Sequence, residues 1–148
     1  MIYFDKEYAI KTHDEIIAIS GGKSGIIHEG LLESILDHVQ NDVYYPDTID
    51  KLTHLVFSIN KNHCFADGNK RTSIALGEYF LYLNGYDYIL SVFATRMETV
   101  AIGVADNIIS KLELQDMLMV ILEGVDYTEY QKLLIIKSLQ VQISENIL

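Results

Sequence analysis

Apolar residues in this chain return every three to four positions, and glycine and asparagine rather than proline mark the breaks between stripes. Ile49, Leu52, Leu55, Val56 and Ile59 form one stripe, and Ile74, Leu76, Tyr79, Phe80 and Leu83 form another. This is the period of a helix that buries one face. With one proline in 148 residues and 49% hydrophobic side chains, the chain is too apolar for disorder and too poor in turns for a β sandwich. The expected fold is all-α, a compact helical bundle in a single domain over 1–148.

The stripes and their end signals place the helices. Asp5 is a plausible N-cap for a first helix reaching Ile19 and stopping at Gly21-Gly22, and a short second helix is expected from about Glu29 to Val39. Pro46-Asp47-Thr48 starts a third, ending near Asn62. A fourth opens at Gly68-Asn69 and stops at Asn84-Gly85. Thr95-Arg96-Met97-Glu98 matches the capping box and predicts a helix from about Arg96 to Ile109. Two more are expected, at about Glu113–Leu122 and Thr128–Ile147, so that about 125–148 forms an extra C-terminal helix. Between the second and third helices, Gln40-Asn41-Asp42-Val43-Tyr44-Tyr45-Pro46 mixes turn and β-type residues and reads as a loop or small hairpin.

Charge narrows the partners. A net charge of -10 repels phosphate backbones and anionic membrane surfaces, so no nucleic acid and no membrane are expected as partners. A nucleotide is still admissible, because local amides and a divalent cation outweigh a distant field. The single cysteine, Cys64, rules out an internal disulfide and a cysteine-rich zinc site, and no basic leader or apolar run approaching about 18 residues is evident. A cytoplasmic location is expected.

The chemistry concentrates in His63-Cys64-Phe65-Ala66-Asp67-Gly68-Asn69-Lys70-Arg71, a loop that delivers the chain into a new helix. The first amides of a helix lack intrahelical partners, so Gly68, Asn69, Lys70 and Arg71 can present N–H groups to phosphate oxygens. Asp67 is placed to hold Mg²⁺ against those phosphates. Lys70 and Arg71 add positive charge, and His63 suits a general base for an incoming hydroxyl. Phe65 joins this nucleotide-binding set as its apolar member, anchoring the loop in the core. His13, His28, His38 and His54 read as ordinary polar residues, and Cys64 as small filler. Gly22-Lys23-Ser24 is not a P-loop, since Ile17 stands where its first glycine belongs.

The pattern His-x-Phe-x-Asp-Gly-Asn-Lys-Arg resembles the motif of the Fic/Doc superfamily, and Lys70 matches its Doc (death on curing) branch. The flanking Gly21-Gly22-Lys23-Ser24-Gly25-Ile26 and Gly30-Leu31-Leu32-Glu33-Ser34 resemble the N-terminal signature of Doc-like proteins. The resemblance implies a Fic-like bundle with a β-hairpin flap near Gln40 to Asp47 that docks the target as an added strand. It implies ATP and Mg²⁺ as cofactors, with His63, Lys70 and Arg71 catalytic, Asp67 the metal ligand, and Phe65, Gly68, Asn69, Lys70 and Arg71 the nucleotide-binding set. In the Doc branch the γ-phosphate goes to a threonine of elongation factor Tu, which implies a kinase-type toxin acting on a Ser/Thr hydroxyl. Lys70 and Ile74 replace the second glycine and final arginine of the adenylylating Fic pattern, whereas Gly68 keeps its glycine, so AMP transfer stands as the alternative and a non-catalytic partner-binding module as a third. None of the pairs Glu29-Gly30, Glu123-Gly124 and Glu145-Asn146 has the serine or threonine that the Fic inhibitory motif requires four places earlier. A separate antitoxin chain is therefore the expected restraint.

Overall fold

The computed structural model describes residues 1–147, and its helices follow the stripes. In chain order they are α1 (Lys6–Ser20), α2 (Glu29–His38), α3 (Thr48–Lys61), α4 (Asn69–Leu83), α5 (Leu90–Ala105), α6 (Lys111–Glu123) and α7 (Glu129–Ile147), with a short 3₁₀ turn at Asp87–Ile89 leading into α5. The all-α architecture agrees with expectation. Asp5 and Asp47 cap α1 and α3 by accepting from Tyr8 N at 2.8 Å and Asp50 N at 3.0 Å.

The pair α3 and α4 forms the centre of the bundle, with α5 and α1 both packed on α4 and α7 packed on α5. Leu52, Leu55, Val56 and Ile59 of α3 and Leu76 and Phe80 of α4 are fully buried between them. The approach is close because Gly77 has no side chain. A Cβ there would lie 2.8 Å from Val56 Cγ2 and 3.1 Å from Phe93 Cζ. Gly103 serves α7 in the same way, its face covered by Ser138.

Two sequence expectations need correction. The capping box at Thr95–Glu98 is not a helix start, because α5 begins at Leu90 and Thr95 lies inside it. The stripe of Phe93, Met97, Val100 and Val104 packs into the core and carries the helix through that point. The capping box stands instead at Ser110 and Glu113, where Glu113 N donates to Ser110 Oγ at 3.1 Å and Ser110 N to Glu113 Oε1 at 2.9 Å. Together with its 3₁₀ lead-in, the segment 87–105 is long and apolar enough by composition to cross a bilayer, with mean hydropathy 1.3. Within it Phe93, Met97, Val100 and Val104 are buried in the core of the bundle.

The β-hairpin flap is also not seen. Residues 42–44 form a turn within an otherwise irregular segment, and among the described residues no strand is present beyond one isolated bridge, Ile26 with Phe65. The reason is local: Asn41 Oδ1 accepts from Val43 N at 2.9 Å and Tyr44 N at 3.3 Å, and its carbonyl accepts from Tyr45 N at 2.9 Å. These groups are satisfied within the turn and need no second strand. The buried Lys51 fixes the turn to α3, its Nζ donating to Val39 O and Asp42 Oδ1, both at 2.8 Å.

Candidate active site

The loop between α3 and α4 starts from two backbone choices. Asn62 closes α3, and His63 then adopts φ 48°, a left-handed conformation uncommon outside glycine. That reversal turns the next two side chains inward. Cys64 and Phe65 are 0% and 1% exposed, and burial pushes the Cys64 thiol up, consistent with inert filler. Cys64 O accepts from Ile27 N at 2.7 Å and His28 N at 3.0 Å, and Ala66 N donates to Gly25 O at 3.0 Å. The glycine-rich segment before α2 is thereby tied to the loop.

Asn69 locks the loop from the other end. Its side chain is 9% exposed and folds back on Phe65, Nδ2 donating to Phe65 O at 3.0 Å and Oδ1 accepting from Phe65 N at 3.2 Å. Both backbone groups of a buried residue are satisfied by one amide. The Asn69 side chain thus holds the loop from within. Phe65 is an anchor, as its apolar character suggests, and its burial keeps it out of the nucleotide-contacting set.

His13, an ordinary polar residue by its sequence, is part of this construction. It is 0% exposed, stacks on Phe65 at 3.9 Å between centroids and 8° between planes, and donates from Nε2 to Asp67 O at 2.7 Å. Its Nδ1 faces the Asp14 carboxylate at 3.2 Å. The available signal was its register: His13 follows Ala9 by one helical turn on the buried face of α1.

Gly68 adopts φ 78° as the N-cap of α4, and a Cβ there would meet Ile17 Cδ1 at 3.1 Å. Its own N–H donates to Asp67 Oδ1 at 2.8 Å, so the free amides begin one residue later than expected. The N–H groups of Asn69, Lys70 and Arg71 have no partner among the described residues, and they open onto a cleft of about 400 Å³. His63, Asp67 and Lys70 line that cleft, with Asn60 of α3 and Ala105 of α5 completing its wall. Six of the seven expected site residues therefore share it, Phe65 being the exception.

Charge in the cleft is arranged around Asp67. Its Oδ2 accepts from Lys23 N at 3.1 Å, and this bond, with that from Gly68 N and the nearby Arg71 and Lys23 charges, holds its carboxyl below the usual carboxylate range. Gly22 makes room for this contact, since a Cβ there would lie 2.7 Å from Asp67 Oδ2. Arg71 Nη1 donates to Gly21 O at 3.0 Å. The Lys70 ammonium is exposed and has no partner among the described residues. No group of three His, Cys, Asp or Glu side chains that could hold a metal exists among the described residues. Asp67 alone fits Mg²⁺ in one way, with its remaining lone pairs as one ligand and phosphate oxygens as others. A larger cleft of about 610 Å³ lies beside Tyr3, Lys6 and Glu33, and no motif residue reaches it.

Comparison with known proteins places the loop within a family match. The model of the Fic/DOC family matches residues 3–81, which hold α1 to α3, the whole loop and all but the last two residues of α4. A curated protein named Toxin Doc, from Mycolicibacterium smegmatis (strain ATCC 700084 / mc(2)155), is 35% identical over 82 residues, covering 53% of this chain and 63% of that protein. The chain thus spans less than two thirds of the length of this relative.

Proposed function

The chain belongs to the Fic/DOC family, and from that premise we propose that its cleft binds ATP with Mg²⁺ and transfers the γ-phosphoryl group to a Ser or Thr hydroxyl of a protein, as a Doc-like toxin. The observation that carries the reading is the unpaired Lys70 ammonium beside three free amides at the start of α4. Together they form a site for an anion whose charge grows during transfer. His63 takes the proton of the incoming hydroxyl, whose oxygen bonds to the γ-phosphorus as the bond to the β–γ bridging oxygen breaks and ADP leaves. The amides of Asn69, Lys70 and Arg71 and the Lys70 ammonium hold the phosphoryl oxygens in place. Bound Mg²⁺ supplies charge neutralisation between phosphates, and Asp67, already ionised, is the residue that would hold it.

Gly68 favours a second reading, AMP transfer, because its bare left-handed backbone resembles the adenylylating loop. A binding module without catalysis has no need of His63 and Asp67 in one cleft. Elongation factor Tu is the first target to test, and a separate antitoxin and a cytoplasmic setting complete the proposal. Intact-mass measurement of that target, incubated with the chain, ATP and Mg²⁺, separates the readings. A gain of one phosphate supports the proposal, a gain of one AMP selects the second reading, and no gain with a range of acceptor proteins contradicts enzymatic function.

A further inference from the structure

Residues 111–147 lie beyond the family match at 3–81, and nothing in the proposed transfer chemistry uses them. α6 and α7 nevertheless enclose a groove of about 340 Å³, with Met119, Val120 and Leu134 as its apolar surface. Met119 is 43% exposed and Leu134 forms the floor at 5%. On the rim stand Glu113, Asp116 and Glu123, and no lysine or arginine lines the groove.

The three carboxylates are not equivalent. Glu113 is engaged by Ser110 N and by the Tyr130 hydroxyl, which holds its carboxyl below the usual range. Asp116 and Glu123 are exposed and have no hydrogen-bonded or ionic partner among the described residues. They stand seven residues apart on α6, two turns and about 10.5 Å along the axis, on one face. Met119 and Val120 lie between them at the i+3 and i+4 positions. Read from α6, the surface is acidic, apolar, apolar, acidic.

We propose that this groove receives a cationic amphipathic helix from another protein. The complement of the surface is a helix with basic residues at i and i+7 and aliphatic residues at i+3 and i+4, a helix-in-groove mode. The groove volume suits a few anchor side chains from such a helix. Charge selects the occupant: a second copy of this chain, itself at -10, would bring a like-charged rim to the contact. An anionic lipid surface is repelled for the same reason.

The test uses the full chain and a fluorescein-labelled 18-residue helical peptide with lysines at i and i+7 and leucines at i+3 and i+4, followed by fluorescence anisotropy. The peptide should bind saturably at one site, and the same peptide with glutamates for lysines should not. The pair Asp116→Lys and Glu123→Lys should weaken binding about tenfold or more, whereas Glu7→Lys and Glu15→Lys on α1, an equal change in net charge, should alter it less than about twofold. Met119→Asp should weaken it as well. Equal losses from both reversals would reduce the contact to non-specific charge and overturn the proposal. So would absence of saturable binding, a sedimenting dimer that Met119→Asp dissociates, or preferential binding of the chain to phosphatidylserine vesicles.

Discussion

Two loops of this molecule, 62–68 and 39–47, both join consecutive helices and both mix turn residues with aromatics, yet they are built in opposite ways. In the first, the aromatic side chain goes inward: Phe65 is 1% exposed, held by His13 on its face and by Asn69 on its backbone. In the second, Val43 and Tyr44 are 88% and 74% exposed, and the turn is fixed from beneath by Lys51. The first loop is clamped from α1, α4 and the 25–28 segment. The second leaves its apolar side chains outward, where a partner can meet them.

The contrast is broken most severely by Asn69→Ala. It strands both backbone groups of buried Phe65, which costs about 3 kcal/mol. Thermal unfolding followed by circular dichroism should show a Tm lower by roughly 6–12 °C for a chain of this size. A fall of less than about 1 °C would mean that His13 and the 25–28 segment hold the loop without it.

Lys51→Met should act more mildly, because its partner Asp42 is 79% exposed and is not left buried without a counter-charge. We expect a loss of about 1 kcal/mol, chiefly from the unmet Val39 carbonyl. Amide exchange should accelerate at Val43–Tyr45 while the 62–68 loop stays protected. Acceleration in both loops would show that they are coupled rather than independent.

The smallest effect is acid softening of the 39–47 side. His54 is buried under Tyr45, ring centroids 4.4 Å apart, with Nε2 donating to Ile35 O at 2.9 Å. Burial pushes its pKa below the ordinary histidine value, aided by Lys111 and His38. The unfolded chain therefore takes up a proton near pH 6.5 that the folded chain refuses, and stability declines as pH falls below about 6.5. Urea unfolding midpoints between pH 7.5 and 5.5 should show this slope, and His54→Leu should flatten it.

The same contrast explains how much could be read from the chain before its structure. Helical stripes such as Leu52, Leu55, Val56 and Ile59 report burial directly, and of the motif His63, Asp67, Gly68, Asn69, Lys70 and Arg71 share one cleft while Cys64 and Phe65 turn into the core. Asp47 and Gly68 announced helix starts by capping logic. The misses arose where one signal was overridden by another, twice from neighbouring residues and once from across the fold. Val43-Tyr44-Tyr45 has β-type residues, but a strand needs a neighbour, and Asn41 closed the turn first. Thr95–Glu98 had the letters of a cap, yet the core stripe beginning at Phe93 ran through it. His13 lies 54 positions from Asp67, so its bond to that carbonyl left no local mark beyond its place on the buried face of α1.

The central claim is that Lys70 directs the γ-phosphate, rather than AMP, to the acceptor. Incubating the chain and elongation factor Tu with γ-labelled and with α-labelled ATP tests this most directly, with Lys70→Gly in parallel. The account predicts that γ-label reaches the target and α-label does not. In Lys70→Gly, γ-transfer should fall by about 10²-fold or more with the lost ammonium, the scale on which single electrostatic groups act in such sites. Transfer of α-label by the unsubstituted chain would contradict it.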